Sequence, residues 1–200
     1  MLKLIASAAL AAGIIVGPAA FGADPQIASK ADRRGDVHVA GDATGVDPAI
    51  VRSVDLRHVT VTRQPHGVRV VIRLKQVLPA RGRWFQQISV FSVPPSWVAP
   101  DWFFVAMTTP QHLGGSAAYF VDIDAEAAAD PGGEEEELVC KVDAKKGKKV
   151  VSLSIPDRCL PEKSGQLVVD AVLADKANLD SPLVAEDQLK VGLVDLRPGR

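Results

Sequence analysis

Few residues in this chain have types and spacings that could do chemistry, and the densest group is the run YFVDIDAEAAADPGGEEEE at 119–137. Asp122 and Asp124 stand two apart, followed by Asp130 and then Glu134 to Glu137. Carboxylates at i and i+2 on a strand share one face and converge at its end, which suits a hard cation such as Ca²⁺ held by oxygen. A helix–loop–helix calcium loop is excluded. Counted from Asp122, Ala127 stands where that loop needs glycine, and Gly133 stands where it needs glutamate. Charge patterning favours a strand ending in a solvated acidic turn, with a weak Ca²⁺ site at Asp122 and Asp124 as the alternative. No other cofactor is implied.

Aromatic residues form the second group: Trp84-Phe85, Phe91, Trp97 and Trp102-Phe103-Phe104. Trp97 lies between prolines in VPPSWVAPDW, a loop that could present a flat ring to a sugar, with Trp102 beside it. Aromatics make up only 5% of the chain, however, and a β-sandwich needs several to fill its core. Core packing is therefore the favoured role for Trp84 and Trp102, and a ligand-facing role is a stronger alternative for Trp97.

Catalytic patterns are sparse, and no catalytic residue is assigned. The stretch GGSAA at 114–118 lacks the last glycine of a nucleophile elbow and precedes a strand rather than a helix. His38, His58, His66 and His112 show no close metal-ligand spacing, which leaves His58 and His112 as the plausible bases of a distant triad. Cys140 and Cys159 are the only cysteines, and an even pair in an exported chain reads as a disulfide. Free thiols or a metal pair are the alternatives, without a third Cys or a His nearby to complete a zinc site.

The elements that must position these residues are short strands. Val68, Val70, Ile72 and Leu74 alternate with Arg69, Arg73 and Lys75, giving a core face and a wet face. Together with Val59–Thr62 and the turn Gln64-Pro65-His66-Gly67, this predicts a hairpin. Further strands are predicted at 85–93, 102–107, 117–123, 137–142, 150–155 and 167–173, separated by Gly and Pro turns. A single helical turn could form at 125–129, and 186–194 fits either helix or strand. A turn centred near Lys146 would set Cys140 opposite about residue 152, leaving Cys159 about 23 Å further along a straight strand. A disulfide therefore demands a sharp reversal after Ile155, where Pro156 can end the strand. The fold class is all-β: a mostly antiparallel sandwich of jelly-roll or immunoglobulin-like type, spanning 46–197 as one domain.

Ahead of it, Lys3, the apolar run Leu4 to Val16 and the small residues to Gly22 read as a secretory signal peptide over 1–22. An uncut anchor is the alternative. Residues 23–45 read as a mobile leader in which Arg34-Gly35-Asp36 is a chance tripeptide. Segment 23–113 carries 11 basic and 7 acidic residues, and 114–200 carries 11 and 17. That is too even for a nucleic-acid stripe, so nucleic acid is not an expected partner.

The order SVDLRHVTVTRQPHGVRVVIRL, AAYFVDIDAE, a Cys strand and VVSLSIPDRCL resembles a group of secreted actinobacterial β-sandwich proteins of uncharacterised function, over about residues 50–175. The resemblance implies a jelly-roll-like sandwich of the kind used for sugar or cofactor binding, and it brings no catalytic residues. The expected function is an exported, non-catalytic binding or envelope-associated module with an extracellular or cell-envelope ligand and no membrane span after cleavage. A carbohydrate or cell-wall glycan-binding module and a small extracellular hydrolase are the alternatives. Exported protein should begin near Ala23. N-terminal sequencing that finds Met1 intact would contradict the signal reading.

Overall fold

The alternation in the central hairpin becomes two faces of a sheet. Val68, Val70 and Ile72 are fully buried and Leu74 nearly so, while Arg69, Arg73 and Lys75 are exposed. In a computed structural model the chain is described over residues 25–39, 45–79, 81–94, 102–122, 140–161, 164–176 and 183–197. Twelve strands are present among them: β1 Gln26–Ala31, β2 His38–Val39, β3 Leu56–Gln64, β4 Gly67–Leu74, β5 Trp84–Val93, β6 Trp102–Thr108, β7 Ala117–Asp122, β8 Cys140–Lys141, β9 Asp143–Lys146, β10 Val150–Pro156, β11 Gly165–Asp175 and β12 Leu183–Val194. A short helix, α1 Pro48–Val51, starts where the Asp47 carboxylate accepts the Ala49 amide at 2.8 Å and Pro48 supplies a preset first position.

The strands form a five-stranded sheet in the order β1-β3-β4-β10-β9 and a seven-stranded sheet in the order β2-β12-β11-β5-β6-β7-β8, with every pairing antiparallel. One core lies between them, built from Val59, Val61, Val70, Ile72 and Leu153 on one side and Ile88, Val90, Phe104, Leu167, Val169 and Leu173 on the other. Burying each such side chain is worth about 1.5–3 kcal/mol, which is what holds two sheets face to face. This is an all-β antiparallel sandwich.

The β3–β4 hairpin turns at Pro65-His66, with Gln64 opposite Gly67 as the sequence predicts. Gly67 is needed for space as well, because a side chain there would collide with the Ile155 carbonyl oxygen of β10. The crossover from β4 to β5 is pinned by Gln86, which is fully buried: its carbonyl accepts the Leu78 amide at 2.8 Å and its amide donates to the Gln76 carbonyl at 2.9 Å. Both of its polar atoms are satisfied, which is the condition for burying them.

The cysteines are joined, but by a different route from the expected hairpin. Lys146 pairs with Val151, so the turn centres on Lys148-Lys149 rather than Lys146. The carbonyls of these two lysines accept the amides of Val77 and Leu74, at 2.9 Å each, and these long-range bonds set the turn. The predicted strand over 137–142 and its neighbour also divide between sheets. Cys140–Lys141 pairs with β7, whereas Asp143–Lys146 pairs with β10. At the crossing, Val142 is buried and its amide donates to the Ser116 carbonyl at 3.2 Å. Pro156 remains in β10, and the reversal is a 3-10 turn over Asp157–Cys159. The Cys140–Cys159 bond, with Cα atoms 5.9 Å apart, therefore ties the edge of one sheet to the turn after a strand of the other.

Residues 23–45, expected as a leader, contribute β1 and β2. Their side chains are almost all exposed, so backbone pairing rather than burial holds them, and no apolar period marks them in the sequence. The ambiguous segment 186–194 is part of β12.

The disulfide closes a loop with a sequence separation of 19, so Cys140→Ser should lower stability by about 3 kcal/mol in denaturant titrations. Reductant should do the same to the unaltered protein, and an unchanged midpoint on reduction would contradict the bridge.

Candidate functional site

The backbones of Trp102 and Asp122 are paired across β6 and β7, so the start of β6 and the end of β7 lie at the same end of the seven-stranded sheet. Trp97, Asp124, Asp130 and Glu134–Glu137 lie outside the described residues, as does the helical turn expected at 125–129. Of the remaining aromatics, Phe104 is buried in the core, and Trp84 is half-buried with the Arg83 guanidinium 4.8 Å above its ring. Arg83 is in turn held by Asp175, its Nε lying 2.8 Å from both carboxylate oxygens.

Among the described residues, neither expected base is hydrogen-bonded to a carboxylate. The His58 ring lies on β3 between two hydroxyls, with Nε2 3.0 Å from Ser29 Oγ and Nδ1 3.2 Å from Thr60 Oγ1. A serine–histidine pair is thus present, but a neutral hydroxyl occupies the position where a carboxylate would stabilise an imidazolium. His112 is exposed at the start of the 3-10 turn Leu113–Gly115. Ser116, in the GGSAA stretch, is buried and donates to the Leu113 carbonyl at 2.7 Å, with Thr108 Oγ1 at 2.6 Å. It is a structural hydroxyl.

A cluster that sequence reasoning missed lies where the N-terminal segment passes from one sheet to the other. Gly35, at φ +79°, allows the turn after β1, and carboxylate oxygens of Asp32, Asp36 and Asp187 come within 4.8 Å of one another. Asp187 occupies β12 opposite Ala171, a core-facing position, and its Oδ2 accepts the Leu56 amide at 2.7 Å. Burial chiefly pushes its carboxyl up to about 6; the Leu56 amide opposes this, while Asp32, Asp36 and Asp55 add to it. Burial likewise raises Asp32, against the Arg33 amide, which donates to its Oδ1 at 2.9 Å. Asp55 is almost fully buried, and its Oδ2 pairs with Arg57 at 2.5 Å. Asp32 and Asp36 fall in the supposed leader and Asp187 far along the chain, so no local motif could have joined them. The one available signal was an aspartate in the otherwise apolar core-facing series of β12.

Another perturbed carboxyl, Asp170, lies in β11 on the outer face of the seven-stranded sheet. Burial and then the neighbouring charge of Glu186 push it up to about 6, offset in part by the Ala171 amide.

No family model, curated protein or solved structure matches the chain. Among the described residues, no helix is long and apolar enough to cross a membrane.

Because the folded carboxyl of Asp170 stands above its unfolded value of about 3.9, its contribution is full below about pH 4 and is lost as pH rises through about 6. The melting temperature should thus fall between about pH 4 and 6, and less steeply in Asp170→Asn. Identical slopes for the two proteins would contradict this.

Proposed function

We propose that this protein is an exported, non-catalytic β-sandwich module that binds a ligand outside the cell or at the cell envelope. The observation that carries the reading is the Cys140–Cys159 disulfide, placed as a tie between two sheets. Such bonds persist in oxidising compartments, and the apolar, small-residue N-terminus supplies the route there. The sandwich presents loops at the ends of its sheets, where binding residues can vary without disturbing the core.

A more specific reading places a glycan at the end of β6 and β7. It is supported by the pairing of Trp102 with Asp122, which sets an aromatic residue and an acidic strand end side by side in the backbone register. Trp97 and a weak Ca²⁺ at Asp122 and Asp124 would complete such a site, with ring faces stacking on sugar and carboxylates accepting hydroxyls. A hydrolase based on His58 would need its acid from elsewhere, so binding is preferred.

Fractionation of the native host should recover the protein in the medium or envelope. On cell-wall and glycan arrays the mature chain should bind a subset of polysaccharides, with Trp97→Ala reducing retention at least about tenfold. Cytoplasmic recovery with reduced cysteines would overturn the export reading, and arrays without signal would overturn the glycan reading alone.

A further inference from the structure

We propose that the outer face of the five-stranded sheet is a docking surface for an acidic polysaccharide carrying carboxylate groups. Alternation along β4 and into the residue after it points Arg69, Arg73 and Lys75 away from the core. Register extends the charge sideways: Lys145 of β9 stands opposite Ser152 of β10, which stands opposite Val71, between the two arginines. The lysine turn joins the same patch. Leu74 and Val77 donate their amides to the Lys149 and Lys148 carbonyls at 2.9 Å each, so two basic runs far apart in sequence meet at one end of the sheet.

No carboxylate within the protein neutralises this patch. Arg69, Arg73, Lys75, Lys145, Lys148 and Lys149 are all exposed. Among the described residues the ion pairs engage Arg57, Arg63, Arg83 and Arg197, and none of these six cations. Asp143 is the single acidic residue at the outward positions of β1, β3, β4, β10 and β9. On the other sheet, the outward positions of β11 and β12 carry Asp170 and Glu186 beside Lys190. Positive charge is therefore in excess on one face of a protein whose formal net charge is −1. Such a face raises the local concentration of a polyanion and is complementary to it.

The side chains around the cations select the kind of polyanion. Thr62 and Ser154 stand opposite Arg69 on either side, and Thr60 lies next along β3. Guanidinium forks with short hydroxyls between them suit the carboxylates and hydroxyls of one sugar chain. At the backbone, Arg69 and Arg73 stand about 13 Å apart along β4, with Lys145 about 10 Å to the side, which fits an extended chain rather than one small anion. No aromatic residue occupies an outward position on these five strands, so single-stranded nucleic acid finds no stacking platform and a bilayer no apolar anchor. A sheet face also cannot enter a duplex groove. The choice of a polysaccharide rests on the export reading, whereas the sign of the face does not.

The experiment is binding of the purified mature chain to polygalacturonate, with neutral dextran, duplex DNA and phosphatidylglycerol vesicles as comparison probes. Polygalacturonate should bind at about 50 mM salt and at least about tenfold more weakly at about 200 mM, with no binding to dextran. Arg69→Gln with Arg73→Gln should cut affinity at least about tenfold and keep the melting temperature, since both side chains are exposed. Lys148→Gln with Lys149→Gln, confined to the turn, should also weaken binding. Lys141→Gln with Lys176→Gln removes equal charge beside the seven-stranded sheet and should leave affinity nearly unchanged. Export is judged by fractionation and the β6–β7 reading by neutral glycans, so each can fail without the others. The docking face is overturned by no binding to polygalacturonate at low salt, by full affinity in both the arginine and the turn variants, or by an equal loss in Lys141→Gln with Lys176→Gln. Tighter binding to DNA or to the vesicles than to polygalacturonate overturns the acidic polysaccharide as its partner.

Discussion

Neither sheet can bury its apolar face alone, so every connection that passes from one sheet to the other must cross a core with no spare hydrogen-bond partners. That constraint organises the molecule. Where the chain crosses at Val142, the side chain enters the core and the amide is taken by the Ser116 carbonyl. Between β4 and β5, Gln86 stands in for backbone partners on both sides of Val77, taking the Leu78 amide and the Gln76 carbonyl. At the start of β3, the Leu56 amide is taken by the Asp187 carboxylate from the opposite sheet. At Val142 and Leu56 the satisfying group is far away in sequence, and at the β4–β5 crossing it is the nearby Gln86, so each crossing leaves its backbone groups paired.

The same constraint locates the chemistry. A carboxylate used to satisfy a crossing cannot also face water, so Asp187 is buried, and its neighbours Asp32, Asp36 and Asp55 gather charge at one junction. Asp170 belongs to a different setting, on the outer face of the seven-stranded sheet, where the nearby Glu186 charge and partial burial act together. The other region of interest, the end of β6 and β7, is defined by backbone register alone through Trp102 and Asp122.

What was legible in the sequence follows from how each element is held. The β4 alternation, the β3–β4 turn and the β5, β10 and β11 runs were readable because burial of one face writes a period of two into the residues. The cysteine pair was readable from composition, and the reversal after Ile155 from the demand of bond geometry. β1 and β2 left no trace, since exposed strands held by edge pairing need no pattern. β12 was ambiguous because Asp187 interrupts its core-facing series and Gly192 lies where its pairing with β11 shifts register. The division of 140–146 between sheets was hidden because β8 is only two residues long, too short for any period to appear.

The change of sheet at Val142 is the feature on which the disulfide and the arrangement of both sheets depend, and nuclear Overhauser contacts test it most directly. Cross-strand contacts are expected from Cys140 to Ala118 on β7 and, three residues on, from Asp143 to Ser154 on β10. Contacts continuing from Asp143 back to Cys140 along a single hairpin, with residue 140 facing the Asp157 region and none to Ala118, would contradict it.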